Sequence, residues 1–378
     1  MINYSYVNNK VKLRLESLEH KDLEQRNTLG YESVENGVIL PWKETGDNLA
    51  TGGVLQPDGQ FVISSANEDT HLYKGAETEE CAVERNETVI YIGNMIPVWG
   101  HSITDNLKKI WFLKTGEGMS LLKKGVRLVY IIQFGRKIPH YMKDLLAMAD
   151  VPISLVEEIN VPTRFKRIII PDNAIAINDG LRYYHRAYME TIEMIVQKVD
   201  SKYSVKEGIG KIYFTRTKLT SNRDKGEVDL EHVFSELGYS IISPEQHDLV
   251  EQIGMLRNCE VFATTEGSIS HSAIFCRPNT NVIILRKADW VNKYQIMINQ
   301  AANLDVTYID AHHSVRNNKS QPWAGPFYLC VTSYLEKFVG HKIPRKPLWL
   351  RKDWLWYYFG KYKVAHMLNS VIHRIFLN

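Results

Sequence analysis

From Val89 onward the hydrophobic positions alternate between two kinds of run: short apolar blocks, and longer stretches in which apolar residues recur every three or four positions. The first kind predicts buried strands and the second amphipathic helices. VIYIG (89–93), VRLVYII (126–132) and RFKRIIIP (164–171) read as strands. SITDNLKKIWFL (102–113) sets Ile103, Leu107, Ile110 and Trp111 on one helical face, and IPHYMKDLLAMA (138–149) predicts another helix. LRYYHRAYMETIEMIVQKV (181–199), without internal Gly or Pro, predicts one long helix. DSKYSVKEGIG (200–210) is polar and glycine-bearing, and predicts a domain boundary. Beyond it the alternation resumes, with strands at KIYFT (211–215), YSII (239–242), CEVFATT (259–265) and NVIIL (281–285). Helices are predicted over LEHVFSELG (230–238) and SISHSAIF (268–275). A third starts at Ser243-Pro244-Glu245-Gln246, an N-cap, a first-turn proline and a capping-box residue, and runs to about Arg257.

Strands and helices alternating through short connections imply an α/β protein with parallel, doubly wound sheets. The expected organisation is two Rossmann-like domains facing a cleft, residues 1–205 and 206–320, followed by a C-terminal helical tail, 321–378. Residues 1–88 are turn-rich and form a β-rich opening to the first domain, with a hairpin around Pro57-Asp58-Gly59.

At 378 residues, 44% hydrophobic and 24% charged, the chain has enough apolar mass for two domains. That composition excludes collagen-like, low-complexity and wholly disordered classes. The formal charge is only +3, but residues 341–378 hold eight Lys/Arg against Asp353, a local +7 that leaves −4 for the rest. The anionic partner is therefore sought at that end. Cys81, Cys259, Cys276 and Cys330 include no CxxC pair, so neither a zinc ribbon nor a disulfide framework is expected. MINYSYVNNKVKLRLE lacks the apolar core of a secretion signal, and no run of about 18 apolar residues occurs. A cytoplasmic location is expected, and the sequons at Asn86 and Asn318 read as chance. No DxD triplet occurs, and the close acid pair Glu79-Glu80 lies in a polar loop-like segment, so no metal cofactor is expected.

Three stretches carry candidate chemistry. Thr-Glu-Gly-Ser-Ile-Ser-His (265–271) lies where a strand ends and a helix begins, the position at which open parallel sheets bind ligands. Gly267 permits close backbone approach, and the N–H groups around Ser268, Ile269 and Ser270 suit a phosphate. Tyr-Phe-Thr-Arg-Thr-Lys (213–218), followed by Arg223 and Lys225, brings Arg216 and Lys218 to the same carboxyl edge. An Arg fork and a Lys point charge match a diphosphate. No GxGxxG or GxxxxGK[ST] is present, which removes the dinucleotide and P-loop readings. Finally, GHSITDN (100–106) sets His101 and Asp105 four apart on one helical turn, where either can serve as general base. Each stretch also has a plain structural reading: a serine-capped turn, a solvated basic loop, and a first turn whose acid suits the helix dipole.

GHSITDNLKKIW (100–111), KIYFTR (211–216), NRDKG (222–226) and SPEQHDLVEQIGMLRNCEVFATTEGSISHSAIFCRPNTNVI (243–283) together resemble glycosyltransferase family 61, most of all its bacterial members linked to capsular polysaccharide synthesis. The resemblance covers about residues 50–290. It implies an inverting, metal-independent transferase of the two-domain GT-B type. The donor would be a nucleotide-diphosphate sugar held mainly by the second domain, and the acceptor a glycan, expected to be lipid-linked. Carried over by position, Asp105 is the base, His101 its neighbour and Arg216 a diphosphate ligand. Lys218, Arg223, Glu245, Gly267, Ser268, Ser270 and His271 complete the donor-side candidates. Two departures stand out. The family commonly has His-Gly where this chain has Glu266-Gly267, with an asparagine near His271, and its Arg-x-x-x-Asn is here Arg223-Asp224-Lys225-Gly226. Glu266 is therefore a ligand for donor hydroxyls or an alternative base. The rival readings are a non-catalytic nucleotide-sugar-binding scaffold and a nucleotide-sugar epimerase.

The tail, residues 342–378, clusters Trp349, Trp354, Trp356, Tyr357, Tyr358 and Phe359 among Arg345, Lys346, Arg351, Lys352, Lys361 and Lys363. Such a segment suits the headgroup region of an anionic membrane, so peripheral attachment to the inner face of the cell membrane is expected. Its structural alternative is a helix packed back on the protein. Nucleic acid is not an expected partner, since no known nucleic-acid module precedes the tail.

Overall fold

The computed structural model describes residues 1–46, 49–66, 83–203, 210–222, 224–313, 325–345, 347–355 and 357. Arg223, Cys81, Glu79-Glu80, the sequon at Asn318, Lys346, Trp356 and the tail from Tyr358 onward lie outside the described residues. The chain divides into two units. One comprises Met1–Lys21, Val205–Asn292 and Ala302–Asn378, the other Asp22–Ser204 and Lys293–Ala301. The ranges expected from sequence are continuous; these units are interleaved.

The unit built on Asp22–Ser204 centres on the strand Val83–Met95, whose residues 89–95 are all buried. It pairs in parallel with Arg127–Ile132 and Thr163–Pro171, and Val156–Glu158 extends the parallel part. On the other side of Thr163–Pro171, Tyr31–Glu35 and Val38–Gly46 run antiparallel, and Leu49–Leu55 pairs with Val38–Gly46. Of the β-rich opening, the strands Tyr31–Glu35, Val38–Gly46 and Leu49–Leu55 thus belong to one seven-stranded mixed sheet, not a purely parallel one, while Ile2–Tyr6 joins the other unit's sheet and Glu24–Gln25 a small three-stranded one. Of these antiparallel pairs, only Val38–Gly46 with Leu49–Leu55 joins strands close in sequence, as a short turn allows; the others bring together distant parts of the chain. Val34, Ile39, Val54, Val89, Val129, Phe165 and Ile168 fill the core of the mixed sheet.

Two predicted helices of this unit are different in the structure. LRYYH is a strand, Leu181–His185, paired antiparallel with Ile175–Asn178 across Asp179-Gly180, both at positive φ. Asp-Gly is the pairing that a two-residue hairpin turn demands. The helix begins only at Arg186, where the His185 ring accepts the Ala187 N–H, and it runs to Lys202. Residues 102–113 are likewise not one helix: Trp99–Ile103 is helical, turns follow, and Ile110–Lys114 is a 3-10 turn. Asn106 explains the break. Its side chain bonds both the N–H and the C=O of Ile96 at 3.0 Å, drawing the chain back onto the strand end and competing with helix continuation.

The other unit holds six strands, all parallel, in the order Ile2–Tyr6, Asp305–Asp310, Asn281–Arg286, Val261–Thr265, Lys211–Phe214 and Ser240–Ile242. Its core includes Tyr213, Leu230, Phe234, Ala263, Ile283, Leu285 and Ile309. The helix expected from Ser243 is a 3-10 turn, Pro244–Gln246, followed by a helix, Leu249–Asn258, capped by Asp248, which accepts the Glu251 N–H at 2.8 Å. Ser270–Phe275 is also a 3-10 turn. In the described part of the tail, Trp354 and Tyr357 pack with Tyr328 and Cys330, and Arg351 pairs with Asp229 and Asp353. Trp349 remains 68% exposed. No described helix is long and apolar enough to cross a membrane.

Candidate functional site

Where the central strand Val83–Met95 ends, the chain turns into Trp99–Ile103 and presents His101 and Asp105 at the carboxyl edge of the sheet. His101 Nδ1 lies 2.7 Å from Asp105 Oδ2. The Thr104 hydroxyl donates to the same oxygen at 2.8 Å, and the Tyr294 hydroxyl donates to Oδ1 at 2.9 Å and Oδ2 at 3.2 Å. Tyr294 belongs to the helix Lys293–Ala301 of the same unit; the Arg182 guanidinium lies over its ring at 4.6 Å, and the His101 ring meets it edge-on. The Asp105 side chain is only 4% exposed, against 27% for His101. Burial alone pushes the Asp105 carboxyl up, but the His101 imidazole, the Lys108 charge and the Thr104 hydroxyl outweigh it and hold the acid well below the usual range. This is an enclosed, ionised carboxylate behind a partly open imidazole.

The all-parallel unit gathers a second set at its carboxyl edge. Arg216 follows Lys211–Phe214, Gly267 follows Val261–Thr265, and Lys287 follows Asn281–Arg286. Lys287 Nζ bonds Asp224 Oδ2 at 3.0 Å, with Arg216 Nη1 3.9 Å from the same oxygen, and the Phe327 N–H holds Asp224 Oδ1. Burial raises the Asp224 carboxyl, yet Lys287, the Phe327 N–H and Arg216 bring it below its ordinary value. Gly267 has φ +128, a backbone conformation that L side chains rarely adopt, and a Cβ there would come only into ordinary contact with Lys287 Nζ, at 3.4 Å. Beneath Arg216 sits Glu227, fully enclosed at the start of the helix Glu227–Glu236. It accepts from the Tyr213 hydroxyl at 3.2 Å and from the Arg216 N–H at 3.4 Å. Burial pushes its carboxyl up to about 7, against the opposing pull of Lys287, Arg216 and these donors.

The remaining candidates lie as follows. The Ser270 N–H is already spent on the Gly267 carbonyl at 3.0 Å, and its hydroxyl bonds Gly267 as well. The Ser270 N–H is therefore not available to a phosphate. Ser268 is half-buried. His271 is buried with Nε2 3.1 Å from Asn292 Nδ2. Glu266 is buried, and burial raises its carboxyl although Arg286, the Asn292 N–H and Lys287 oppose it. Lys218 reaches Gln246 at 3.4 Å in an exposed contact, and Glu245 is exposed. His101 and Asp105 belong to one unit, and Arg216, Gly267 and Glu266 to the other.

Sequence reasoning missed Lys287, Glu227 and Tyr294. Lys287 had a signal, since it follows a predicted strand at the same edge as Arg216 and Gly267. Tyr294 had none, being 189 positions from Asp105. A cavity of about 430 Å³ opens elsewhere in the parallel unit, lined by Asp229, His312, His313, Thr332, Arg345 and Arg351 among others. Its guanidiniums are engaged within the wall, Arg351 by Asp229 and Arg345 by the Val331 carbonyl. Among the described residues, no group of three or more His, Cys, Asp or Glu side chains is placed to hold a metal ion.

No curated protein matches the chain. Residues 99–283, a stretch that contains His101, Asp105, Arg216, Glu227 and Gly267, match the family model Glycosyltransferase 61, and the protein is a glycosyltransferase.

Proposed function

We propose that the enzyme moves a sugar, with inversion, from a nucleotide-diphosphate sugar to a glycan hydroxyl, with His101 as general base and Arg216 and Lys287 receiving the charge of the leaving diphosphate. The observation that carries this reading is the 2.7 Å pairing of His101 Nδ1 with an enclosed Asp105. A buried carboxylate at Nδ1 fixes the tautomer and leaves Nε2 as the basic nitrogen. The acceptor oxygen bonds to the anomeric carbon as the bond from that carbon to the phosphate oxygen breaks. The hydroxyl proton passes to His101 Nε2, and the electron pair departs on the diphosphate. Arg216 and Lys287 meet that charge with charge-assisted hydrogen bonds, which replaces a metal in this reading.

A GT-B arrangement, a capsular role, a lipid-linked acceptor and attachment to the inner face of the membrane complete the proposal, supported by the sequence resemblance and, for attachment, by the basic tail and exposed Trp349. The deciding experiment is incubation of pure protein with a panel of nucleotide sugars, with and without glycan acceptors and with a chelator present. Nucleotide release that requires acceptor and survives chelation is expected. A rearranged donor would indicate epimerisation, and binding without turnover a scaffold. For the membrane, sedimentation with anionic liposomes should fall for a 1–340 chain relative to the full chain, and equal binding would remove that part.

A further inference from the structure

Glu227 is a carboxyl the transfer chemistry does not use, enclosed directly beneath the cationic edge. Several elements packed around it supply groups that set its charge. The strand Lys211–Phe214 gives the Tyr213 hydroxyl, and the following loop gives the Arg216 N–H and guanidinium. Lys287 acts on it from the end of Asn281–Arg286, and it is itself paired with Asp224. On Glu227's own helix, Glu231 accepts from the Thr215 and Thr217 hydroxyls and Asp229 pairs with Arg351. From the remaining side the chain at Leu329 closes over Gly226, where a Cβ would lie 1.9 Å from the Leu329 carbonyl oxygen.

Among the described residues, the cations that stabilise a charged Glu227 are Arg216 and Lys287, the same two that follow the strand ends at the ligand edge. An anion bound there neutralises both and adds its own negative charge nearby. The carboxylate then loses its compensation inside a low-dielectric enclosure. We propose that binding of a diphosphate at the Arg216–Lys287 edge is coupled to protonation of Glu227, so that the enzyme takes up the donor together with one proton from solvent. The inference rests on the reading of this edge as the diphosphate site. Burial already holds Glu227 near the neutral range against these two cations, so the coupling operates from about pH 7 upward; well below that, the carboxyl is protonated beforehand and no uptake remains.

The test is calorimetry of wild-type protein and Glu227→Gln with UDP, GDP, CDP, ADP and dTDP, at pH 6.5 to 9, in pairs of buffers that differ in ionisation heat. At pH 8, wild type should take up about one proton more than Glu227→Gln. Its affinity should fall relative to the variant by up to tenfold per pH unit above about pH 7. Both curves carry the same titration of the nucleotide, so their difference isolates Glu227. If Glu227→Gln is unstable, Tyr213→Phe serves: losing a donor to the carboxylate should leave it protonated beforehand and lower the proton count in the same direction. Equal proton counts and parallel pH curves would overturn the coupling while leaving the diphosphate site standing. Failure of wild type to bind any of the five nucleotides would overturn the site itself.

Discussion

Asp105 and Glu227 are both buried acids at the carboxyl ends of sheets, yet they sit on opposite sides of the ordinary carboxylate range. The difference lies in the donors each receives. Asp105 has close contacts from His101, Thr104 and Tyr294, whereas Glu227 has two long ones, at 3.2 and 3.4 Å. Burial penalises both charges; only the one well supplied with donors and nearby charge stays ionised at every working pH. Enclosure therefore does not by itself assign an acid its role. A saturated carboxylate is a fixed charge that orients its neighbour, and an underserved one is a proton reservoir.

The contrast breaks most directly at the dyad. His101→Ala should lower turnover by about 10³-fold with nucleotide binding unchanged, and Asp105→Asn by about 10²-fold, both read as kcat. A larger loss in Asp105→Asn than in His101→Ala would make Asp105 itself the base. At the other site, Lys287→Met should weaken nucleoside diphosphate binding by about 10- to 100-fold in calorimetry, as expected for one charge-assisted contact. Lys218→Met, whose lysine makes an exposed 3.4 Å contact with Gln246, should change it by less than about threefold.

Stability sharpens the comparison further. Glu227 has a folded-state value raised above that of the unfolded chain, so its contribution is present below about pH 4 and is lost as pH rises towards 7. Glu227→Gln should therefore raise the melting temperature at pH 8 and leave it unchanged or lower at pH 4, checked by thermal denaturation across pH. Asp105 is depressed instead, so its contribution is present above about pH 4 and disappears as pH falls below it. Tyr294→Phe removes one of its donors and should cost about 1 kcal/mol at neutral pH in denaturant titration, with the deficit shrinking in acid.

The sequence carried the strands of both sheets well, because fully buried parallel strands such as 89–95 and Asn281–Arg286 are plain apolar runs. It carried Ile2–Tyr6 poorly, since an edge strand half open to solvent alternates and resembles a polar segment. The hairpin turn Asp179-Gly180 was legible, but the uninterrupted run to Val199 outweighed it. The break at Asn106 was not legible, because it depends on a side chain finding the backbone of a residue ten positions earlier. At the sites, four-residue spacing pointed to His101 and Asp105, and the strand-end rule pointed to Arg216 and Gly267. Tyr294 and Glu227 emerge only from packing, where a hydroxyl or a carboxyl gains meaning from neighbours that are distant in the chain.

The helix Lys293–Ala301 has a practical consequence for anyone who wishes to take this enzyme apart. Those nine residues leave one unit after Asn292 and return to it at Ala302, so no single cut of the polypeptide releases the other unit whole. A fragment spanning 22–204 would lack the Tyr294 hydroxyl on Asp105 and the Gln300 oxygen that accepts the Leu23 N–H at 2.7 Å. It would keep a buried carboxylate deprived of a donor and a backbone amide with its acceptor removed, a poor starting point for folding. A fused or co-expressed 293–301 peptide restores both contacts, which makes this short helix a natural complementation tag: its capture by the 22–204 fragment would report the assembled base site without any sugar, nucleotide or membrane in the assay.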